Sequence, residues 1–542
     1  MPVGYWIPVL HSHLPFVKHP EYDYFLEEHW LFEAITETYL PLLANMKRMV
    51  DEGIDFRLTT SITPPLAEMF DDGYLMNQYL KHLDKLIELT EKEVKRLSGN
   101  SEFYGVATFY NERLLKIKSF FVNDLNCRIL EGYRHFSDLG KLEIITCGAT
   151  HGFLPLLSVN PKSVEVQLEV AVRSHRKHFG KSPRGIWLPE CAYYEGLDAL
   201  LGKYGIQFFF LDTHGLTLGR PQPKYSVYAP VYTPHGAAAF ARDPHSAEQV
   251  WSSKFGYPGD PLYRDFYKDI GFDLAFDYVK PYISPDGIRV YTGIKYYRVT
   301  GKTEEKLPYD HAAAYERTKI HAKHFYGERI GQLAKLKAVM DRTPVIVSPY
   351  DAELYGHWWF EGPDFLYHVF CEVAAEKAIQ PLTPVEYLDL YPQNQVVSPY
   401  PSTWGAGGSY EVWLNKDNSW IYRHLHHMSD TMEALANKHM ADDIAINNRV
   451  LNQLLRELLL AQSSDWAFLI TMGTAVQYAE KRTKEHISNF NRLLDGFNAN
   501  KPDVQFLEWL EYKNSIFADA DFRVFVTNYT ENPKSGNLTG KI

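Results

Sequence analysis

Cysteine is scarce: Cys127, Cys147, Cys191 and Cys371 are the whole complement of 542 residues, and no two form a CxxC pair. That excludes a disulfide scaffold and points to reduced thiols in a cytoplasmic protein. Long apolar runs are also lacking. The stretch around Phe208–Leu211 falls far short of the roughly 18–20 residues that span a bilayer. Met1–Leu10 carries no basic n-region, so no signal peptide is expected. Positive charge is in deficit, with Lys+Arg 56 against Asp+Glu 67 and a net charge of −11. This balance argues against nucleic-acid or membrane partners, both of which need concentrated Lys and Arg. Internal repeats, low-complexity tracts and long single-sign runs are missing too. What remains is ordinary globular composition, 45% hydrophobic and 23% charged, which rules out dominant disorder. Aromatics are plentiful at 15%, and flat rings with a polar edge suit the faces of sugars, although on composition alone a core rich in Tyr and Phe is the more ordinary account of them.

The first 350 residues repeat one arrangement, in which a short apolar run stops at a polar or Gly/Pro signature and an amphipathic stretch follows. The runs are Tyr5–Leu10, Phe56–Thr60, Leu142–Cys147, Gly185–Leu188, Gln207–Leu211 and Val345–Val347. Strands alternating with helices predict a mostly parallel sheet, because each parallel return needs a crossover. Strands that end in polar residues resemble a barrel with its site at the C-terminal strand ends; an open doubly wound sheet has the same periodicity. Residues 66–140 read as a helical insertion and 213–310 as a loop-rich one. Pro392, Pro399, Pro401, Gly405, Gly407 and Gly408 mark the best boundary, giving a catalytic domain over 1–395 and a helical domain over 396–542. Val450, Leu451, Leu454, Leu455, Leu458 and Leu459 fall on one helical stripe. Ser463–Ser464–Asp465 offers caps for a further helix running toward Glu480.

Chemistry-bearing residues cluster at the ends of those runs. In His11–Ser12–His13 alternation puts both imidazoles on one side, as a metal pair, as donors to hydroxyls, or as structural caps; a metal site would need further ligands. His151 lies between Gly148 and Gly152, which permit an unusual turn. Glu190 follows a buried strand and Pro189, where an unpaired charge is expensive unless it is used; capping a helix or pairing with Arg is the bland alternative. Its neighbour Cys191 reads as packing. Asp351, Glu353, His357, Trp358 and Trp359 crowd the segment after Val345–Val347. Within it Glu353 is a candidate to hold a histidine or backbone, and Trp359 a candidate core residue.

The segments HSHLP, GATHGFLP, WLPECAY and SPYDAELYGHWWFEGP resemble, in order, the signature motifs of glycoside hydrolase family 57. Within it the chain is most similar to the 1,4-α-glucan branching enzymes. The resemblance implies a (β/α)7 barrel with inserted helical and loop segments, a C-terminal all-helical domain, and retaining chemistry on α-1,4-glucans such as amylose or glycogen-like polymers, without a metal or other cofactor. It makes Glu190 the nucleophile and Asp351 the general acid/base, with His11, His13 and His151 lining the donor subsite. His357, Trp358, Trp404, Trp413, Arg264, Arg289, Asp465 and Trp30 become further substrate-binding candidates. Tyr232 becomes the candidate tip of a loop over the site, on which the branching outcome depends. Asp465 serves equally as a helix cap and Trp30 equally as packing.

A retaining enzyme holds its two carboxyl groups roughly 5–5.5 Å apart, with environments that push the two pKa values in opposite directions. Hydrolysis and branching share the covalent half-reaction and differ in whether water or a glucan 6-hydroxyl resolves it. An α-amylase or 4-α-glucanotransferase is therefore the neighbouring reading. A metal-dependent carbohydrate deacetylase using His11 and His13, and a silent glycan-binding barrel, are readings of other classes. Oligomeric state is not encoded in these motifs.

Overall fold

The computed structural model describes residues 2–527 apart from 100, 253–255, 284–286, 302 and 304. The chain divides into two units: residues 1–147 with 172–408, and residues 148–171 with 409–542.

The first unit is built on seven parallel strands, β1 (Gly4–Ser12), β2 (Leu58–Ile62), β3 (Leu142–Ile145), β4 (Gly185–Ile186), β5 (Phe208–Leu211), β6 (Ala238–Ala241) and β7 (Val345–Asp351). Ladders join β3 to β2, β2 to β1 and β1 to β7, and separately β4 to β5 and β5 to β6. The two sheets meet twice. Thr146 bridges Ile186 in parallel, and the Asp243 N–H donates to the Val347 carbonyl at 2.9 Å. The ring therefore closes as a seven-stranded barrel. Its interior is filled by alternate residues, among them Ile7 and Val9, Phe208 and Phe210, Ala238 and Phe240, Val345 and Val347. Period-two filling is what a closed parallel sheet requires, and helices outside explain why the other face is apolar too.

Six of these strands are the runs read from sequence. The seventh, β6, falls inside the segment expected to be loops, because three of its four residues are alanines and none is β-branched. Small side chains fit there because Phe208 and Phe240 already occupy that layer. Between β2 and β3 run the helices Pro64–Asp71, Gly73–Leu97, Ser101–Ser119 and Ile129–Asp138, and Asp72 caps the longest by accepting from the Leu75 N–H at 3.1 Å.

The second unit is helical. Its Ala445–Ala461 helix buries the whole Val450–Leu459 stripe, and Glu457 on the same helix pairs with His486 at 2.7 Å. The helix begun at Ser464 stops at Met472 instead of reaching Glu480, because Gly473 adopts the left-handed conformation that ends helices. A fresh helix then spans Val476–Asn498. Among the described residues no helix is long and apolar enough to cross a membrane, and all four cysteines are free.

Candidate active site

The C-terminal ends of the barrel strands gather the polar residues. His11 lies opposite Asp351 in the β1–β7 register. The His11 ring stacks on Trp187 at 4.8 Å, and its Nδ1 is hydrogen-bonded to Ser61 Oγ on β2 at 2.6 Å. The His13 ring stacks on His11 at 5.7 Å and hydrogen-bonds Thr63 at 3.0 Å. Alternation along β1 thus places both imidazoles on one side.

Glu190 sits in a one-turn helix, Pro189–Cys191, just beyond β4, with φ at 61°. A residue with a Cβ in the left-handed region costs about 1 kcal/mol or more, and such strain concentrates at functional sites. Trp404 holds the turn twice: its backbone N–H donates to the Glu190 carbonyl at 3.1 Å, and its indole N–H donates to Glu190 Oε2 at 2.9 Å. This tryptophan, at Ser402–Thr403–Trp404–Gly405, belongs to the barrel unit rather than to the helical domain in which the sequence boundary had put it. The adjacent Cys191 thiol is buried, and burial pushes its pKa well up, which makes it inert packing.

Asp351 ends β7. Burial raises its carboxyl to about 6, opposed by the positive charges of His13 and Arg242. Its side chain still reaches solvent, as a proton donor to substrate must. Arg242, at the end of β6, forks onto Asp212 at 3.1 and 2.8 Å and lies 5.7 Å from the Trp404 ring. Glu353 accepts from the His13 backbone N–H at 3.1 Å and from the Tyr39 hydroxyl. Burial, with Asp351 beside it, raises Glu353 to about 7. The role of holding histidine backbone is the one its position implied.

The loop after β7 is clamped by a π-helical turn, Ile35–Tyr39, a feature frequent at functional sites. Gly356 has φ at +120°, and a Cβ there would lie 1.8 Å from the Glu37 carbonyl oxygen, so only glycine permits the approach. Next to it His357 bonds Glu37 Oε2 at 2.9 Å, and Arg264 reaches Glu37 Oε1 at 2.9 Å. Burial works to raise Glu37, but Arg264 and His357 overcome it and hold the carboxyl at about 2. Trp358 is 58% exposed and lies flat on Phe266 at 4.8 Å, leaving a platform suited to a sugar face. Trp359 is core.

Several expected binding residues are placed elsewhere. The Arg264 side chain is 2% exposed and is an internal strut between Glu37 and the Phe360 ring, 4.1 Å away; it has no surface to offer substrate. Tyr232 is no loop tip. It pairs with Ala238 at the start of β6, the end opposite the site, and its hydroxyl donates to the Pro392 carbonyl at 3.3 Å. The hairpin turns over Thr233–Ala237 and is too short to carry a lid. Arg289 is tied to the Gly271 carbonyl at 2.5 Å and lies over Phe276, inside the loop-rich segment. Trp30 is half-buried on the helix Glu28–Ala34.

In the helical unit Trp413 is 1% exposed and stacks on Phe153 at 4.7 Å, so it is core and not a sugar platform. His151 adopts φ 58° and its Nδ1 is 2.9 Å from Ser464 Oγ. Asp465, in the first turn of the helix that Ser464 opens, accepts from Ser463 Oγ at 2.5 Å.

Sequence reasoning missed Arg242, Asp212, Glu37 and Tyr39. For Arg242 the signal was present: Phe240–Ala241–Arg242–Asp243–Pro244 repeats the pattern of an apolar run ending in polar residues and proline. Glu37 and Tyr39 lie on the helical turn Ile35–Tyr39, where nothing in the local pattern distinguishes them from an ordinary helix face.

Comparison with known proteins follows the same division. Residues 7–399 match glycosyl hydrolase family 57, and residues 424–525 match the C-terminal domain of 1,4-alpha-glucan branching enzymes. The chain is 33% identical to a 1,4-alpha-glucan branching enzyme of Thermococcus kodakarensis, over 98% of this chain and 79% of that protein. Among solved structures it is similar to the alpha-amylase AmyC of Thermotoga maritima, at 48% identity and a TM-score of 0.92, covering 97% of this chain and 100% of that one. It is likewise similar to the branching enzyme of Pyrococcus horikoshii, at 33% identity and a TM-score of 0.88, covering 97% of both chains.

Proposed function

Starting from the premise that the chain belongs to glycosyl hydrolase family 57, we propose that it is a cytoplasmic 1,4-α-glucan branching enzyme serving glycogen-type synthesis. Glu190 attacks the anomeric carbon of an α-1,4-linked glucose, and the bond to the glycosidic oxygen breaks as Asp351 delivers its proton to that oxygen. Asp351, now a carboxylate, takes the proton from the 6-hydroxyl of an acceptor chain. That oxygen displaces Glu190 from the anomeric carbon, and two inversions leave the configuration retained. The Trp404 indole fixes the orientation of the Glu190 carboxylate, and the rings of His11 and His13 border the gap. Desolvation raises the Asp351 carboxyl to about 6, which keeps it protonated at mildly acidic pH, as a general acid needs. Trp358 supplies a stacking surface on the rim.

The observation that carries the branching outcome is the 33% identity to a 1,4-alpha-glucan branching enzyme over 98% of this chain. The position of Tyr232 favours a second reading, an α-amylase. With no tyrosine-bearing lid from the short hairpin, water has readier access to the covalent intermediate, and hydrolysis accompanies transfer. The test is linkage analysis of amylose incubated with the purified protein. New short chains released by isoamylase, abolished together with all turnover in Glu190→Gln (a loss on the order of 10⁴-fold), support the assignment. Reducing ends that accumulate with no isoamylase-sensitive chains would replace branching by hydrolysis. Undiminished turnover in Glu190→Gln would refute the nucleophile.

A further inference from the structure

Away from the catalytic cluster, a cleft of about 600 Å³ opens on the barrel unit between the helices Pro244–Trp251 and His311–Lys337. Its size suits a small ligand. The polar groups around it are unusual in being unused. Arg329 is 4% exposed, yet neither its Nε nor its Nη1 has a partner; nor do the amide oxygens of Gln249 and Gln332. The Gln332 oxygen is oriented by its own amide nitrogen, which donates to Asp243 at 2.7 Å. Buried donors and acceptors normally find partners, and a group of them unsatisfied around one opening calls for a ligand or ordered water.

The chemistry of the lining narrows the ligand. Arg329 and Lys335 are balanced by Glu248 and Glu328, so the cleft has no net charge with which to select an anion. A neutral polyhydroxyl compound satisfies both sides at once, since each hydroxyl accepts from the guanidinium and donates to an amide or carboxylate oxygen. The half-buried Tyr228 ring adds an apolar wall. Two glycines one turn apart, Gly327 and Gly331, leave the long helix bare here, and a Cβ added at either would meet nothing within 4 Å. Glycine is disfavoured inside helices, and its repetition at this spacing keeps a groove open.

We propose that this cleft is a second, non-catalytic glucan-binding site that holds a short stretch of an α-1,4-glucan chain. It rests on the α-glucan reading above and extends it, because a long polymer tethered at two places binds more tightly than a short one held at the catalytic site alone. The test uses the full-length Glu190→Gln protein titrated calorimetrically with maltotriose. Two classes of site are expected, and one should vanish when Gly327→Trp fills the cleft with Arg329 left in place. Arg329→Met should remove the same class. In the otherwise native enzyme, Gly327→Trp should raise KM for amylose about tenfold and leave KM for maltohexaose within about twofold. A single class in both proteins with parallel KM values overturns the proposal, as does binding of inorganic phosphate in place of maltotriose at this cleft. If no maltotriose binds and the native enzyme leaves amylose untouched, the α-glucan reading itself falls.

Discussion

Asp351 is the residue whose protonation sets the working range. Its folded pKa of about 6 lies above the usual 3.8, so the acid is competent at mildly acidic pH and is lost as pH rises through that value. The basic limb of kcat/KM, which reports free-enzyme groups, should therefore fall near pH 6. Arg242 is one of the charges that hold the value down. Arg242→Met should move the basic limb upward and lower kcat by on the order of 10²-fold, typical for loss of a fixed charge beside a transition state. Arg242→Lys should keep the limb near its original position. A limb that stays put or moves down in Arg242→Met would remove Asp351 as the titrating acid. At this scale the sequence was informative wherever a polar residue followed an apolar run, which is why Glu190, Asp351, His11 and His13 stood out. It was misleading at Arg264 and Trp413, since the residue types that meet a sugar also serve as buried struts and core, and local sequence does not say which way they face.

Among elements, the π-helical turn Ile35–Tyr39 positions the loop after β7, and its Glu37 joins two cations. The folded Glu37 carboxyl at about 2 lies below its usual 4.5, so its stabilisation is complete above pH 4.5 and is lost as pH falls toward 2. His357 is raised from its usual 6.5 despite burial, through Glu37, so its share is present at low pH and disappears as pH climbs through the raised value. Glu37→Gln leaves the buried Arg264 guanidinium uncompensated. It should cost about 3–5 kcal/mol at neutral pH, seen as a lower Tm whose gap from the native protein narrows as pH approaches 2. Equal Tm values at pH 7 would show that Arg264 finds another partner. The expected alternation of strands and helices was legible here because burial on both faces leaves apolar runs. The sixth strand was not, because alanines chosen to fit beside Phe208 and Phe240 carry no strand signature of their own. Tyr232 was misread for a related reason: a tyrosine between prolines looks like a loop until the strand it pairs with is recognised.

For the whole molecule, the order of four strand-end motifs was enough to reach the family, since each motif is a separate local feature and their sequence along the chain is fixed by the barrel. The division into units was harder to see. Residues 148–171 belong with the helical unit, yet the chain leaves that unit in the middle of the helix Pro161–Phe179, with no proline or glycine to mark the crossing. Net charge was a surer guide. A surplus of 67 acidic over 56 basic residues repels polyanions, whereas a glucan is neutral and releases no counterions on binding. KM for amylose should therefore change by less than about twofold between roughly 0.05 and 0.5 M salt, while a polyanionic ligand contacted through several phosphates would lose about 10³-fold or more. The buried pair of Glu37 with Arg264 and the half-buried pair of Arg242 with Asp212 are screened less than fully exposed ones, so kcat should hold as well. A steep rise of KM with salt would mean that the substrate carries charge, and would turn attention from glucans to acidic polysaccharides.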